Sequence, residues 1–207
     1  STSEGLFFET INAAGVLQVP IVSSVWDDAY GISVGAEYQT TKEDISEILK
    51  GFQRDENGKG YDIFVVDAWD YTALINTFMQ ASKVAREEHV PVMIHVKGMT
   101  QPQGHSTSGS HERYKSPERL QWEKDHDCIL KFSEWMQAQG IATQEELDAL
   151  TKDAKKAARE GKKEAWKIYQ SQPTRLRNEV LPLLKALQSQ GEKGIFVTPI
   201  ITDLEAV

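Results

Sequence analysis

The chain has 207 residues, a net charge of −8 and ordinary hydrophobic and charged fractions of 40% and 26%, which fits one large or two small domains with a proper core. This acidity argues against nucleic acid or an anionic membrane as the main partner, although a metal ion and local N–H donors would still let an acidic protein hold a diphosphate. No apolar run approaches the roughly 18 residues that a membrane-spanning helix needs, and Ser1 to Glu9 read as no export signal. The single cysteine, Cys128, excludes an intrachain disulfide and fits a reducing compartment. A cytoplasmic enzyme or subunit is expected.

Small hydroxyl residues at Ser1 to Ser3 precede an apolar-periodic stretch, which predicts a helix running to about Val16. No Met or strand stands ahead of it, so a piece of a longer chain is expected. Val19 to Val25, with Pro20 near its start, predicts a buried strand that Asp27 to Gly31 ends as a polar loop. Lys42 to Phe52 predicts a helix capped by Thr40 or Thr41, and Asp55 to Gly60 a turn. Ile63 to Val66 and Val90 to Val96 predict strands on either side of a long helix, Tyr71 to Glu88. This alternation is the pattern of an α/β fold, a parallel sheet with helices on both faces. Such sheets bind ligands beyond the carboxyl ends of their strands, which points to the loops after Val25, Val66 and Val96.

Residues 98–116 form a polar loop of a length that is usually functional or disordered. Helices are then expected over Glu118 to Gln139, Gln144 to Gln170 and Leu176 to Gln190, with the charged stretch Asp148 to Lys167 as a solvated face. Ile195 to Ile201 reads as extended. The predicted organisation is an α/β part over 1–116 that includes the loop 98–116, a helical extension over 117–192, and an extended tail or linker over 193–207.

In the loop after the first strand, the Asp28 carboxylate and the Tyr30 carbonyl can converge on one cation. Mg²⁺ prefers such hard oxygens and completes its octahedron with phosphate oxygens. The alternative is a solvated polar loop, and spacing alone leaves both open. His95, inside a strand, reads as a satisfied core or interface residue, while His111 and His126 read as surface. Asp70 reads as the cap of the following helix, Trp69 as an interface anchor, and Trp122, Trp135 and Trp166 as helix core.

Ser3-Glu4-Gly5, Asn12-Ala13-Ala14, Pro20 and Asp28-Ala29-Tyr30-Gly31-Ile32-Ser33 resemble the later part of the thiamine diphosphate motif. Gly104-His105-Ser106-Thr107-Ser108 with Tyr114-Lys115-Ser116 resembles the histidine loop of branched-chain and pyruvate dehydrogenase alpha subunits. Trp122-Glu123-Lys124, Ile129 and Gln139-Gly140 also follow that family, so the resemblance spans about residues 3–150. It implies the second half of a thiamine diphosphate-binding fold. The family's opening Gly-Asp-Gly would fall immediately before Ser1.

The resemblance further implies thiamine diphosphate and Mg²⁺ as cofactors. Ser3, Glu4, Asp28, Tyr30, Ile32 and His105 would contact the cofactor, Asp28 and Tyr30 would ligate the metal, and His105 would be the catalytic histidine for acyl transfer to lipoate. It implies oxidative decarboxylation of a 2-oxo acid, a beta subunit or fused beta region, and a lipoyl-bearing acyltransferase. The assembly would be a heterotetramer or a dimer of a fused chain, and the stretch by itself would be inactive. Ser106 matches a serine that kinases phosphorylate in some animal members.

Three positions depart from the family pattern. Asp27-Asp28 replaces Asn-Asn, Gly109-Ser110 replaces an acidic pair, and Lys115 replaces an arginine, which loses planar bidentate bonding. Two other readings stay open: another thiamine diphosphate enzyme such as an acetoin dehydrogenase, and a non-catalytic homologue that serves as an assembly surface.

Overall fold

A computed structural model describes residues 2–105 and 111–206, with the side chains of 192 and 193 set aside. The chain divides into two compact units, Ser1–Ala142 and Thr143–Val207.

The first unit is built on a parallel sheet of β1 (Val22–Trp26), β4 (Asp62–Asp67) and β5 (Val92–Lys97), with β5 in the middle. Val22 and Asp62 both pair with Val92, and the register runs on to Trp26 and Asp67. Pro20 and Pro91 lack the N–H that a ladder needs, so pairing starts just after each of them. A short hairpin of β2 (Tyr30–Gly31) and β3 (Val34–Gly35) follows β1; the strand pattern did not predict it.

Side chains of a strand alternate between faces, and β5 is buried on both. Val92, Ile94 and Val96 pack with Ala81, Val84 and Ala85 from α3 (Tyr71–Lys83) and the turn after it. Met93, on the other face, packs with Ile11 and Ala14 of α1 (Gly5–Leu17), Ile45 of α2 (Ile45–Ile48) and Leu49 just beyond. Full burial of such side chains contributes about 1.5–3 kcal/mol each. Helices thus cover both faces, as the sequence predicts. Asp70 caps α3 by accepting the Ala73 N–H at 2.9 Å.

Several boundaries differ from the expectation. The helix expected over Lys42 to Phe52 is only α2 with a 3₁₀ turn after it, because Lys42 and Glu43 take φ of 61° and 57°. Its cap is therefore Asp44, which accepts the Glu47 N–H, and not Thr40 or Thr41. The single helix expected over Glu118 to Gln139 is α4 (Pro117–Asp125) and α5 (Cys128–Ala138), parted because Asp127 caps a new start at the Ile129 and Leu130 N–H groups. Both helices belong to the first unit. Phe132 and Trp135 of α5 stack on Tyr71 at ring distances of 4.4 and 4.8 Å.

The second unit opens with a capping box at Thr143 and Glu146 that starts α6 (Gln144–Gln188). It is one helix of 45 residues, where two were expected. Pro173 and Pro182 lie inside it; each removes one N–H, which frees the carbonyls of Tyr169 and Asn178. The helix is exposed from Asp148 through Leu176, so Trp166 is not core within this chain. Residues expected as an extended tail are helical: a 3₁₀ turn (Glu192–Val197) and α7 (Thr198–Glu205). Among the described residues, no helix is long and apolar enough to cross a membrane.

Candidate functional site

The carboxyl ends of the three strands are laced together. The Asp27 N–H donates to Val96 O at 2.8 Å, Met99 N–H to Asp27 O at 3.0 Å, and Ala68 N–H to Lys97 O at 2.8 Å. At this edge lies a cavity of about 410 Å³, lined by Ser3, Asp27, Asp28, Tyr30 and Gly31 among others. It stands where an open α/β sheet places a ligand.

The two aspartates of the loop behave differently. Asp27 spends both oxygens inside the protein: Oδ1 accepts the Ala29 N–H at 2.8 Å, and Oδ2 meets His95 Nε2 at 2.8 Å. Burial alone would push its pKa up, but the bonds from His95 and Ala29 and the nearby Lys97 charge outweigh that, and the carboxyl sits below its ordinary value. Asp28 bonds only through Oδ1, which accepts the Tyr30 N–H at 3.1 Å, so among the described residues Oδ2 has no donor. Ala29 and Ile32 hold φ of 68° and 64°, a region that side chains other than glycine seldom enter.

His95 is the hub beneath the loop. It is fully buried, with Nδ1 3.0 Å from Ser46 Oγ, and Ser46 Oγ donates to Asp44 Oδ1 at 2.6 Å. Lys97 donates to the other Asp44 oxygen at 2.7 Å. Burial works against the Asp44 carboxylate, but the bonds from Lys97, Ser46 and the Glu47 N–H hold its pKa well below the ordinary range. His95 is thus a satisfied core histidine, as its place in an apolar strand suggested. What sequence reasoning missed is that its partner is the loop aspartate.

A second network fixes the loop from the other side. Lys115, 4% exposed, donates to both oxygens of the fully buried Glu123 at 2.8 and 2.9 Å and to Gln101 O at 3.1 Å. Arg119 donates through Nε to Glu123 at 2.9 Å and through Nη2 to Asp28 O at 3.0 Å. The Lys115 ammonium also lies 5.1 Å from the Tyr30 ring centre. Lysine in place of arginine therefore still makes a complete ion pair here. Ser116 starts α4 by accepting the Arg119 N–H at 3.2 Å.

His105 is exposed and is not among the residues that line the cavity. Its neighbour Gly104 is buried at φ 65°, and a Cβ there would meet the Tyr114 hydroxyl at 2.4 Å, so only glycine fits. The Tyr114 ring stands 5.4 Å from that of Tyr30. Of the other predicted residues, Ser3 lines the cavity, while Glu4 and Ile32 are exposed and do not. His111 and His126 are half-buried, not surface residues; His126 stacks on Trp122 at 4.5 Å and also meets Trp69. Ser106, Gly109 and Ser110 lie outside the described residues.

A family model described as "Dehydrogenase E1 component" matches residues 1–174. The chain belongs to the dehydrogenase E1 component family. It is 27% identical over 196 residues to a mitochondrial 2-oxoisovalerate dehydrogenase alpha subunit of Arabidopsis thaliana, covering 94% of this chain and 40% of that protein. The human mitochondrial 2-oxoisovalerate dehydrogenase alpha subunit is 27% identical over 208 residues, covering 93% of this chain and 44% of its own. The Dictyostelium discoideum counterpart is 29% identical over 171 residues, covering 82% and 37%. This E1-family chain therefore spans less than half the length of the curated relatives it matches.

The donor set at the cavity suits part of a hard-cation site. No three His, Cys, Asp or Glu side chains gather into a metal-binding group among the described residues. What these residues offer a cation is the free Asp28 oxygen and backbone carbonyls. Such a pair fits Mg²⁺ that takes its remaining oxygens from a phosphate ester and from groups beyond these residues.

Proposed function

We propose that the protein containing this chain carries out oxidative decarboxylation of a 2-oxo acid with thiamine diphosphate and Mg²⁺, and passes the acyl group to a lipoyl carrier. The observation that carries the reading is the loop after β1 in a chain of the E1 family. One of its carboxylates is spent internally, and the next keeps an oxygen free at a cavity on the carboxyl edge of the sheet.

Asp28 Oδ2 and the Tyr30 carbonyl would ligate Mg²⁺, and Ser3 would contact the cofactor from the far wall of the cavity. Glu4 and Ile32 flank that contact on the cavity rim. The bound cofactor supplies a carbanion that attacks the keto carbon and an electron sink for loss of carbon dioxide. His105 is exposed at the mouth of the site, where an imidazole donates to phosphate or moves a proton near neutrality during acyl transfer. A beta subunit or fused beta region would complete the pocket, and the lipoyl arm of an acyltransferase would reach it from outside. In this reading the stretch alone does not turn over.

The test uses the full-length protein with its partner part, thiamine diphosphate, Mg²⁺ and an artificial electron acceptor. Reduction dependent on 2-oxoisovalerate or pyruvate supports the reading. Turnover of acetoin but not of 2-oxo acids would replace it with an acetoin dehydrogenase. Failure to bind the cofactor at all would leave an assembly protein.

A further inference from the structure

We infer that His95 is a positioning residue for the cation, acting through Asp27 on the shape of the loop that presents Asp28. The inference rests on the function proposed above. His95 sits in the middle strand, wholly buried, on the face that packs against α1 and α2. A buried imidazole costs free energy unless both its nitrogens are bonded, and both are bonded, to Ser46 and Asp27. The Asp27 carboxylate, held below its ordinary pKa, only accepts, so Nε2 donates to it. A donor fixed by the core thus fixes the Asp27 rotamer.

The consequence runs along four residues. With Oδ2 held by His95, Oδ1 of Asp27 is aimed at the Ala29 N–H, and this bond closes the turn in which Ala29 adopts φ 68°. That conformation costs an alanine roughly 1–2 kcal/mol, so it persists where neighbouring bonds impose it. Across this turn the Asp28 carboxylate bonds the Tyr30 N–H with one oxygen and leaves the other free. The same pairing compensates the charge of Asp27, leaving Asp28 as the carboxylate available to a cation. A neutral Asn-Asn pair would have no need of such a buried partner. His95 touches neither the cavity nor a reacting atom; its effect is on geometry.

Three variants of the full-length enzyme in its assembled form test this: His95→Leu, His95→Gln and Asp27→Ala. Two readouts are taken. Hydrogen exchange of residues 27–31 is followed without metal, and Mn²⁺ affinity, with Mn²⁺ standing in for Mg²⁺, is titrated by electron paramagnetic resonance with thiamine diphosphate. His95→Leu and Asp27→Ala are expected to weaken Mn²⁺ about tenfold, the usual effect of losing an outer-shell partner. Loop exchange should rise in both while the amides of β5 and α3 keep their protection. His95→Gln, which retains a side-chain donor, should recover part of the affinity.

Wild-type Mn²⁺ affinity in both His95→Leu and Asp27→Ala would overturn the inference. So would a loss of affinity accompanied by faster exchange across the whole sheet, the mark of a role in stability alone. If His95→Leu does not fold, Asp27→Ala, which leaves the buried ring in place, decides. If the wild type itself binds no Mn²⁺ with the cofactor, the proposed function fails, and the metal-free exchange data still judge the link from His95 to the loop.

Discussion

The loop after β1 and the loop after β5 leave the same edge of the sheet, but they are held differently. The first is short and pinned from both sides, by His95 from the core and by Arg119 from α4. The second is long and fastened at its ends, by the Gln101 carbonyl and by Lys115 on Glu123, with His105 exposed between them. The difference is one of task. A cation needs preset oxygens, whereas a histidine that serves an incoming carrier needs access.

The largest effect that would break this contrast is on catalysis. His105→Ala in the complete enzyme should lower lipoyl acylation about 10²- to 10⁴-fold, the range of a positioned acid or base, with cofactor affinity little changed. Steady-state acylation and cofactor titration check it, and unchanged acylation would remove His105 from the mechanism. Next is the fastening of the second loop. Lys115→Ala leaves the buried Glu123 with Arg119 alone and should cost about 3–5 kcal/mol, as broken buried ion pairs do. Denaturant unfolding measures this, and a loss under about 1 kcal/mol would class the pair with surface bridges.

Acid should act on the foundation of the first loop. The folded pKa of Asp44 is depressed, so its contribution to stability is whole above the ordinary carboxylate value and is lost as pH falls below it. Unfolding midpoints should drop below about pH 4, and Asp44→Asn should flatten that part of the profile. An identical acid profile in the variant would show that Asp44 does not carry it.

Much of the frame was legible in the sequence. β5 reads as a buried strand because its apolar run is bounded and β-branched, and Asp70 announces α3 by its position. The loop bearing Asp28 and Tyr30 was located by the strand that feeds it. The two anchors of that loop were not legible, since His95 meets Asp27 across 68 positions and Arg119 meets Asp28 across 91. Periodicity carries no trace of such pairs. A signal did exist: a lone histidine amid apolar strand residues must find polar partners, and a neighbouring strand's end supplies them. Arg119 and Glu123 also stand at ion-pair spacing along α4.

Helix ends were misjudged where a single residue overrules a pattern. Lys42 and Glu43 at positive φ delay α2, and Asp127 restarts a helix that looked continuous. Pro173 does the reverse, because the long helix passes through it and leaves one carbonyl unbonded where a break was expected.

The central claim concerns where the cation sits, and the most direct measurement is a crystal structure of the assembled enzyme grown with Mn²⁺ and thiamine diphosphate. The account predicts an anomalous peak bonded to an Asp28 carboxylate oxygen and the Tyr30 carbonyl at close to the Mg²⁺ distance of about 2.1 Å, with Asp27 still on His95. A diphosphate whose metal is held without Asp28, or with Asp27 turned away from His95 to ligate it, would contradict the account.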